Sequence, residues 1–171
     1  MALKPPHRDK TMKRTDIAAG GTYTDGKLGV RQVVSVDQDK VKYTTLAAAQ
    51  STNIREATML LGSFAAWAAE QIAPEALETH MLSLQAGKLV PKLTRLQVEF
   101  FESIGEVLNT TTEVECQRHE WRTARDCEKK GFIGSIPDKL KPDESRFEVK
   151  LTALGVQVLK IVLANKLADA S

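Results

Sequence analysis

This chain has little of what usually announces chemistry. Among its 171 residues there are two cysteines, three histidines and only 5% aromatics. Cys116 and Cys127 are too few to brace a disulfide scaffold, so a reducing compartment, the cytoplasm, is expected. Three histidines leave scant material for a multi-ligand metal centre. No apolar run approaches the roughly 18 residues of a membrane span, and no charged-then-apolar leader is visible. Neither membrane insertion nor export is therefore expected. With so few aromatics, the core must rest on Ala, Val, Leu and Ile. Enzyme signatures are also missing. Gly20-Gly21 and Gly26-x-x-Gly29 lack the strand-to-helix context and the lysine of a phosphate loop, and no Gly-x-Ser-x-Gly elbow occurs. The row Glu99, Glu102 and Glu106 reads as solvated helix surface. The expectation is a non-enzymatic protein with no cofactor and no metal.

What is present is ordinary for a globular chain: 42% apolar and 27% charged residues, enough for one domain or two small ones. Twenty-four basic residues face 22 acidic ones, a net charge of +2. The first sixteen residues carry Lys4, Arg8, Lys10, Lys13 and Arg14 against Asp9 and Asp16, a net +3, leaving −1 for the other 155. A globally basic nucleic-acid binder is excluded, and any attraction to phosphate must be local. With Pro5-Pro6 and almost nothing apolar, the start of the chain reads as a flexible basic arm. Such an arm either follows phosphates or merely solubilises.

From Gly20 the chain is rich in turns. Val30, Val33, Val34 and Val36, then a polar break at Asp37 to Lys40, then Val41, Tyr43 and Thr45 predict a β-hairpin. The stretch from Ile54 to Leu61 fits either a helical stripe capped by Asn53 and Glu56 or a third strand, Arg55 to Leu61, followed by a helix from Phe64 capped by Ser63. The strand is preferred, because a third strand gives the small sheet a face to bury. Pro74 then closes that helix and opens the next, Glu75 to Ala86, which Gly87 ends. Thr94 caps an amphipathic helix carrying Leu96, Phe100, Phe101, Ile104, Val107 and Leu108. A second helix, roughly Glu113 to Lys130, stops at Gly131. Phe132 and Ile133 start an extended segment, and the prolines and charges from Pro137 to Ser145 make a loop. Arg146 to Leu151 alternates as a strand, and Thr152 caps a last helix from Ala153 to about Ala168.

Two resemblances add to this reading. Ser63 to Ala68 is similar to the end of small β domains in phage and plasmid proteins, which implies a mobile-element origin and no activity. Residues 93–168 resemble a winged helix-turn-helix domain of the MarR or PadR type. Thr123 to Ile133 looks like the end of a recognition helix, its glycine stop and a first wing strand. Lys139 to Ser145 looks like a charged wing tip, and Phe147 to Gly155 like a second wing strand running into a capped helix. The sequence departs from that pattern in one respect. Asn109 to Arg122 is short for a middle helix, a turn and the start of the recognition helix, so the middle helix is vestigial or Glu113 to Lys130 is continuous. A continuous helix puts groove reading in doubt.

Arg118, Arg122, Arg125 and Lys129 are spaced by four, three and four residues and so share one helix face. Val114, Trp121, Ala124 and Phe132 point to the core. The stripe either meets DNA, where arginine can read guanine edges, or is a solvated face with Glu115–Arg118 and Arg122–Asp126 ion pairs. Cys116, His119 and Cys127 have a zinc-like spacing, but on a continuous helix the cysteines stand about 16 Å apart along the axis. The last helix is apolar over more than half its girth and must meet either the bridging helices or a second subunit; winged-helix regulators commonly dimerise that way.

The expected architecture is therefore α+β. Residues 1–19 form a flexible basic arm, 20–73 a small β-rich domain of SH3-like type ending in a helix, 74–91 a bridging helix and linker, and 92–171 a winged-helix-like domain. The expected function is a non-enzymatic, DNA-binding transcriptional regulator of a phage or plasmid. Arg118, Arg122, Arg125 and Lys129 would meet double-stranded DNA, with Lys139, Lys141 and Arg146 touching its backbone from the wing. The rival expectation is a protein-interaction module of a mobile element that binds and inhibits a host complex.

Overall fold

Thr22–Thr24 (β1), Val30–Asp37 (β2), Lys40–Leu46 (β3), Glu56–Leu60 (β4) and Glu70–Ile72 (β5) pair antiparallel in the order β4-β3-β2-β1-β5. The computed structural model that shows this describes residues 11–46, 56–107 and 112–169. The chain is α+β and divides into two units, Met1–Glu78 and Thr79–Ser171.

The hairpin forms as the valine pattern predicts. Asp37 pairs with Lys40 across a two-residue turn, where Gln38 takes a left-handed backbone conformation at φ 47. A bulge between Val33 and Ser35 shifts the alternation, so Val34 is 45% exposed while Val36, three residues after the buried Val33, returns to the same core. One extra residue on the bulged strand turns the following side chains to the opposite face. The preferred strand after Arg55 is present as β4, and the helix follows it at once as Leu61–Trp67 (α1). Ser63 therefore lies inside α1 and caps nothing; Asn53 lies outside the described residues. Pro74 does not close α1. The helix ends at Trp67, and β5 lies between them and pairs with β1.

Phe64 of α1 is the centre of this unit's core. Its ring lies 5.6 Å from Tyr23, 5.6 Å from Tyr43 and 5.3 Å from Trp67. Burying an aromatic ring of this size is worth about 3–5 kcal/mol by truncation. Tyr23 also ties down the preceding chain. Its hydroxyl donates to the Asp16 carbonyl and accepts from the Ala18 N–H, both at 2.9 Å. Ile17 is buried, Met12 packs on the same core, and the Met12 N–H bonds the Ala68 carbonyl at 3.2 Å. Of the expected arm, residues 12–18 thus belong to the fold, and residues 1–10 lie outside the described residues.

The boundary falls within a helix, Leu77–Leu89 (α2), most of which belongs to the second unit. Gly87 does not end α2, which runs two residues further before a 3-10 turn at Val90–Lys92. Arg95–Val107 (α3) begins with a capping box. The Gln97 N–H donates to Thr94 Oγ1 at 3.3 Å, and Gln97 Oε1 accepts from the Thr94 N–H at 3.1 Å and from Lys130 Nζ at 2.8 Å. Phe100, Phe101 and Ile104 are buried as expected, whereas Leu96 and Val107 are 65% and 63% exposed.

The expected helix from Glu113 to Lys130 is three elements. Glu113–Gln117 is a strand (β6), Arg118–Glu120 a 3-10 turn, and Trp121–Lys129 a nine-residue helix (α4). The physical reason is period two: Val114 and Cys116 are buried while Glu113, Glu115 and Gln117 are exposed. That pattern matches the strand opposite, Arg146–Lys150 (β7), where Phe147 and Val149 are buried. Ile133 bridges Leu151 to extend the small sheet.

Gly131 stops α4 with φ 74. Its N–H bonds the Glu128 carbonyl at 2.8 Å and the Phe132 N–H bonds the Cys127 carbonyl at 3.0 Å, a Schellman closure. Thr152 Oγ1 accepts from the Gly155 N–H at 3.0 Å, capping the last helix, Ala153–Asp169 (α5). Val158, Leu159 and Val162 of α5 join the core made by α3, α4 and both strands. Among the described residues no helix is long and apolar enough to cross a membrane.

Candidate nucleic-acid interface

Because α4 starts only at Trp121, the four-residue basic stripe is broken. Arg122, Arg125 and Lys129 lie on the helix, and Arg118 lies in the 3-10 turn before it. The arginines at the two ends of this segment turn toward the loop from Gly134 to Ser145. Arg118 Nη1 donates to the carbonyls of Lys141 at 2.6 Å and Glu144 at 2.7 Å. Arg125 Nη2 bonds Asp138 at 2.8 Å, and its Nη1 bonds Glu128 at 2.5 Å and the Ile136 carbonyl at 3.4 Å. Glu128 in turn accepts the Ile136 N–H at 3.3 Å. Trp121 Nε1 donates to the Pro137 carbonyl at 3.1 Å, and the Arg125 guanidinium stands 5.9 Å from the Trp121 ring centroid.

The loop is thus folded onto α4 rather than projecting as a bare tip. Ile136 is buried beneath it. Arginine suits this work because its fork of five donors can hold several acceptors at once. Glu128, Trp121 and Asp138 were not legible as partners of the stripe. The one signal was a tryptophan set among charged residues at the start of a polar helix.

The other expected contacts are distributed as follows. Lys129 lies 3.6 Å from Asp126, Lys141 3.8 Å from Glu144, and Arg146 2.8 Å from Glu115. The expected Glu115–Arg118 and Arg122–Asp126 pairs are replaced by these. Arg122 and Lys139 are exposed, and neither has an ion-pair partner among the described residues. From Thr79 to Ser171 the chain has fourteen basic and thirteen acidic residues, so any field toward phosphate is confined to a few side chains.

The zinc spacing dissolves in the structure. Cys116 is on β6, Cys127 on α4, and His119 on the exposed turn between them. Among the described residues no group of three or more histidine, cysteine or acidic side chains could hold a metal ion. Burial pushes both thiols up to about 12, which suits inert core groups and opposes thiolate chemistry.

No family model, no curated protein and no solved structure matches this chain.

Proposed function

We propose that the chain is a non-enzymatic DNA-binding protein, a regulator of phage or plasmid type, that contacts duplex DNA through its second unit. The observation that carries this reading is the order of elements: α3, β6, the short α4, the Ile133–Leu151 bridge, a loop, then β7. This is the order of a winged-helix domain with its middle helix reduced to one 3-10 turn. Arg122 and Lys139 supply the phosphate contacts. Arg118 and Arg125 act as positioning residues that fix the loop beside α4. A homodimer through α5 belongs to the same proposal, and Leu167 near its end is 72% exposed. The strand order of the first unit, with α1 between β4 and β5, supports its reading as an SH3-like module.

A second reading, a protein-interaction module that blocks a host complex, is favoured by one specific observation. Five of the seven basic groups expected at DNA, all but Arg122 and Lys139, are engaged within the chain. Fold alone does not decide between the two.

Fluorescence anisotropy of a labelled duplex, at low and moderate salt, separates them. Non-specific binding is expected with a dissociation constant of about 10⁻⁴ to 10⁻⁶ M at moderate salt. Changing Arg122 and Lys139 together to Ala should weaken it at every sequence tested. Absence of binding at low salt would overturn the DNA reading and direct attention to a protein partner.

A further inference from the structure

The face of the first unit's sheet that covers the Phe64 core is mostly apolar, but Thr45 and Gln71 lie on it beside one cation. Tyr23 pairs with Arg31, Val33 with Tyr43, Tyr43 with Ala57 and Val41 with Met59, so these side chains share a face. Arg31 is the cation among them. Its guanidinium carbon stands 4.0 Å from the Trp67 ring centroid and 4.7 Å from that of Tyr43. Trp67 is free to lie there because residue 29 is glycine: a Cβ at Gly29 would meet Trp67 Cζ2 at 3.0 Å.

Arg31 is half-buried, and its acceptor among the described residues is the Met59 sulfur, 3.5 Å from Nη1. A thioether is a weak acceptor, and a guanidinium has five donors to place. The stacked rings attract the charge from their faces but offer nothing to the N–H groups in the guanidinium plane. No carboxylate among the described residues stands within ion-pair distance of Arg31. Asp25 Oδ1 accepts the N–H groups of Lys27 and Gly29, both at 2.9 Å, and Glu56 pairs with Lys42 at 2.5 Å. Residues 47–55, which join β3 to β4, contain no Asp or Glu at all.

We propose that Arg31, held by Tyr43 and Trp67, is a recognition site for a carboxylate side chain on an acidic segment of a partner protein. The two rings fix the plane of the fork, and its free edge matches the two oxygens of a carboxylate. Phosphate of a nucleic acid fits less well. Between Met1 and Glu78 ten basic residues face nine acidic ones, so the unit lacks the continuous positive track that a polyanion needs. The site lies in the first unit and does not depend on the DNA reading of the second.

The test is a titration of the full chain, followed by ¹H–¹⁵N spectra of the Arg31 guanidinium and the Trp67 indole. The probe is acetylated, amidated hexaglutamate, with hexaglutamine and oligothymidylate as comparisons. Hexaglutamate should move both resonances saturably and hexaglutamine should not. Arg31→Lys should weaken the response by about tenfold, because an ammonium cannot bind two oxygens in one plane, and Arg31→Gln should abolish it. Ala57→Glu covers the case in which loss of Arg31 disturbs folding. Ala57 is exposed on the same face, so its glutamate would occupy the fork from within and remove the response while the backbone spectrum is retained. No movement with hexaglutamate, equal movement with hexaglutamine, or a response that survives in Arg31→Gln or Ala57→Glu would overturn the proposal. A stronger response to oligothymidylate would overturn it too, in favour of nucleic acid.

Discussion

Single residues set limits that can be measured directly. Cys116 and Cys127 are 3% and 0% exposed, and burial lifts each thiol from an ordinary value of 9.0 to about 12. Both should therefore resist a thiol reagent near neutral pH in the native protein and react at once in denaturant. Their folded pKa lies above the unfolded one, so the stability they contribute is complete below about pH 9 and is lost as pH rises toward 12. Denaturant midpoints measured across that alkaline range should fall, and Cys116→Ser with Cys127→Ser should flatten the fall. Two glycines differ in the same informative way. At Gly131, open around its Cα but held at φ 74, alanine should cost about 1 kcal/mol. At Gly155 an added Cβ would sit 1.8 Å from the Phe132 carbonyl oxygen, so alanine there should cost about 3 kcal/mol or more. Urea denaturation of the two variants ranks them.

At the scale of elements, caps and clasps decide where each piece begins and ends. Thr94→Ala removes one half of the box that starts α3 and should cost about 1 kcal/mol in a denaturation experiment. Arg118→Ala should loosen the loop from Gly134 to Ser145, seen as faster hydrogen exchange at Lys141 and Glu144, at a cost to global stability of about 1 kcal/mol. Much of this scale was legible in the chain. The β2–β3 hairpin followed from its valines and polar turn, Thr94 and Thr152 were visible as caps, and Gly131 as a stop. The failures have physical causes. β1 and β5 are three residues each, too short for alternation to show within glycine-rich or alanine-rich surroundings. Glu113 to Gln117 does alternate, but its charges also fit a helical stripe with the arginines that follow, and only the pairing with β7 separates the two periods. The fate of Arg118 and Arg125 was not legible, because their acceptors are backbone carbonyls eleven to twenty-six residues away or the carboxylates of Glu128 and Asp138, three and thirteen residues away and outside the stripe.

At the scale of the whole molecule, the described residues form two separate hydrophobic clusters, one around Phe64 and Tyr23 and the other around Phe101 and Phe132. Neither unit departs from neutrality by more than one charge. With Arg122 and Lys139 as the free cations of the expected interface, DNA affinity should fall with salt at a logarithmic slope of about −2. A steeper slope, measured by anisotropy over a salt series, would mean that engaged arginines are released on binding or that the N-terminal lysines contribute. The clasp of the loop on α4 also governs where a protease can cut. Lys139 and Lys141 sit on an exposed segment that offers itself to trypsin by sequence. Yet Pro142 follows Lys141, and Arg118 grips the carbonyls at Lys141 and Glu144 while Trp121 and Arg125 hold Pro137, Ile136 and Asp138. Since cleavage needs a stretch of backbone free to unfold into the enzyme's cleft, brief digestion should spare this loop, and the Arg118→Ala chain should be cut after Lys139.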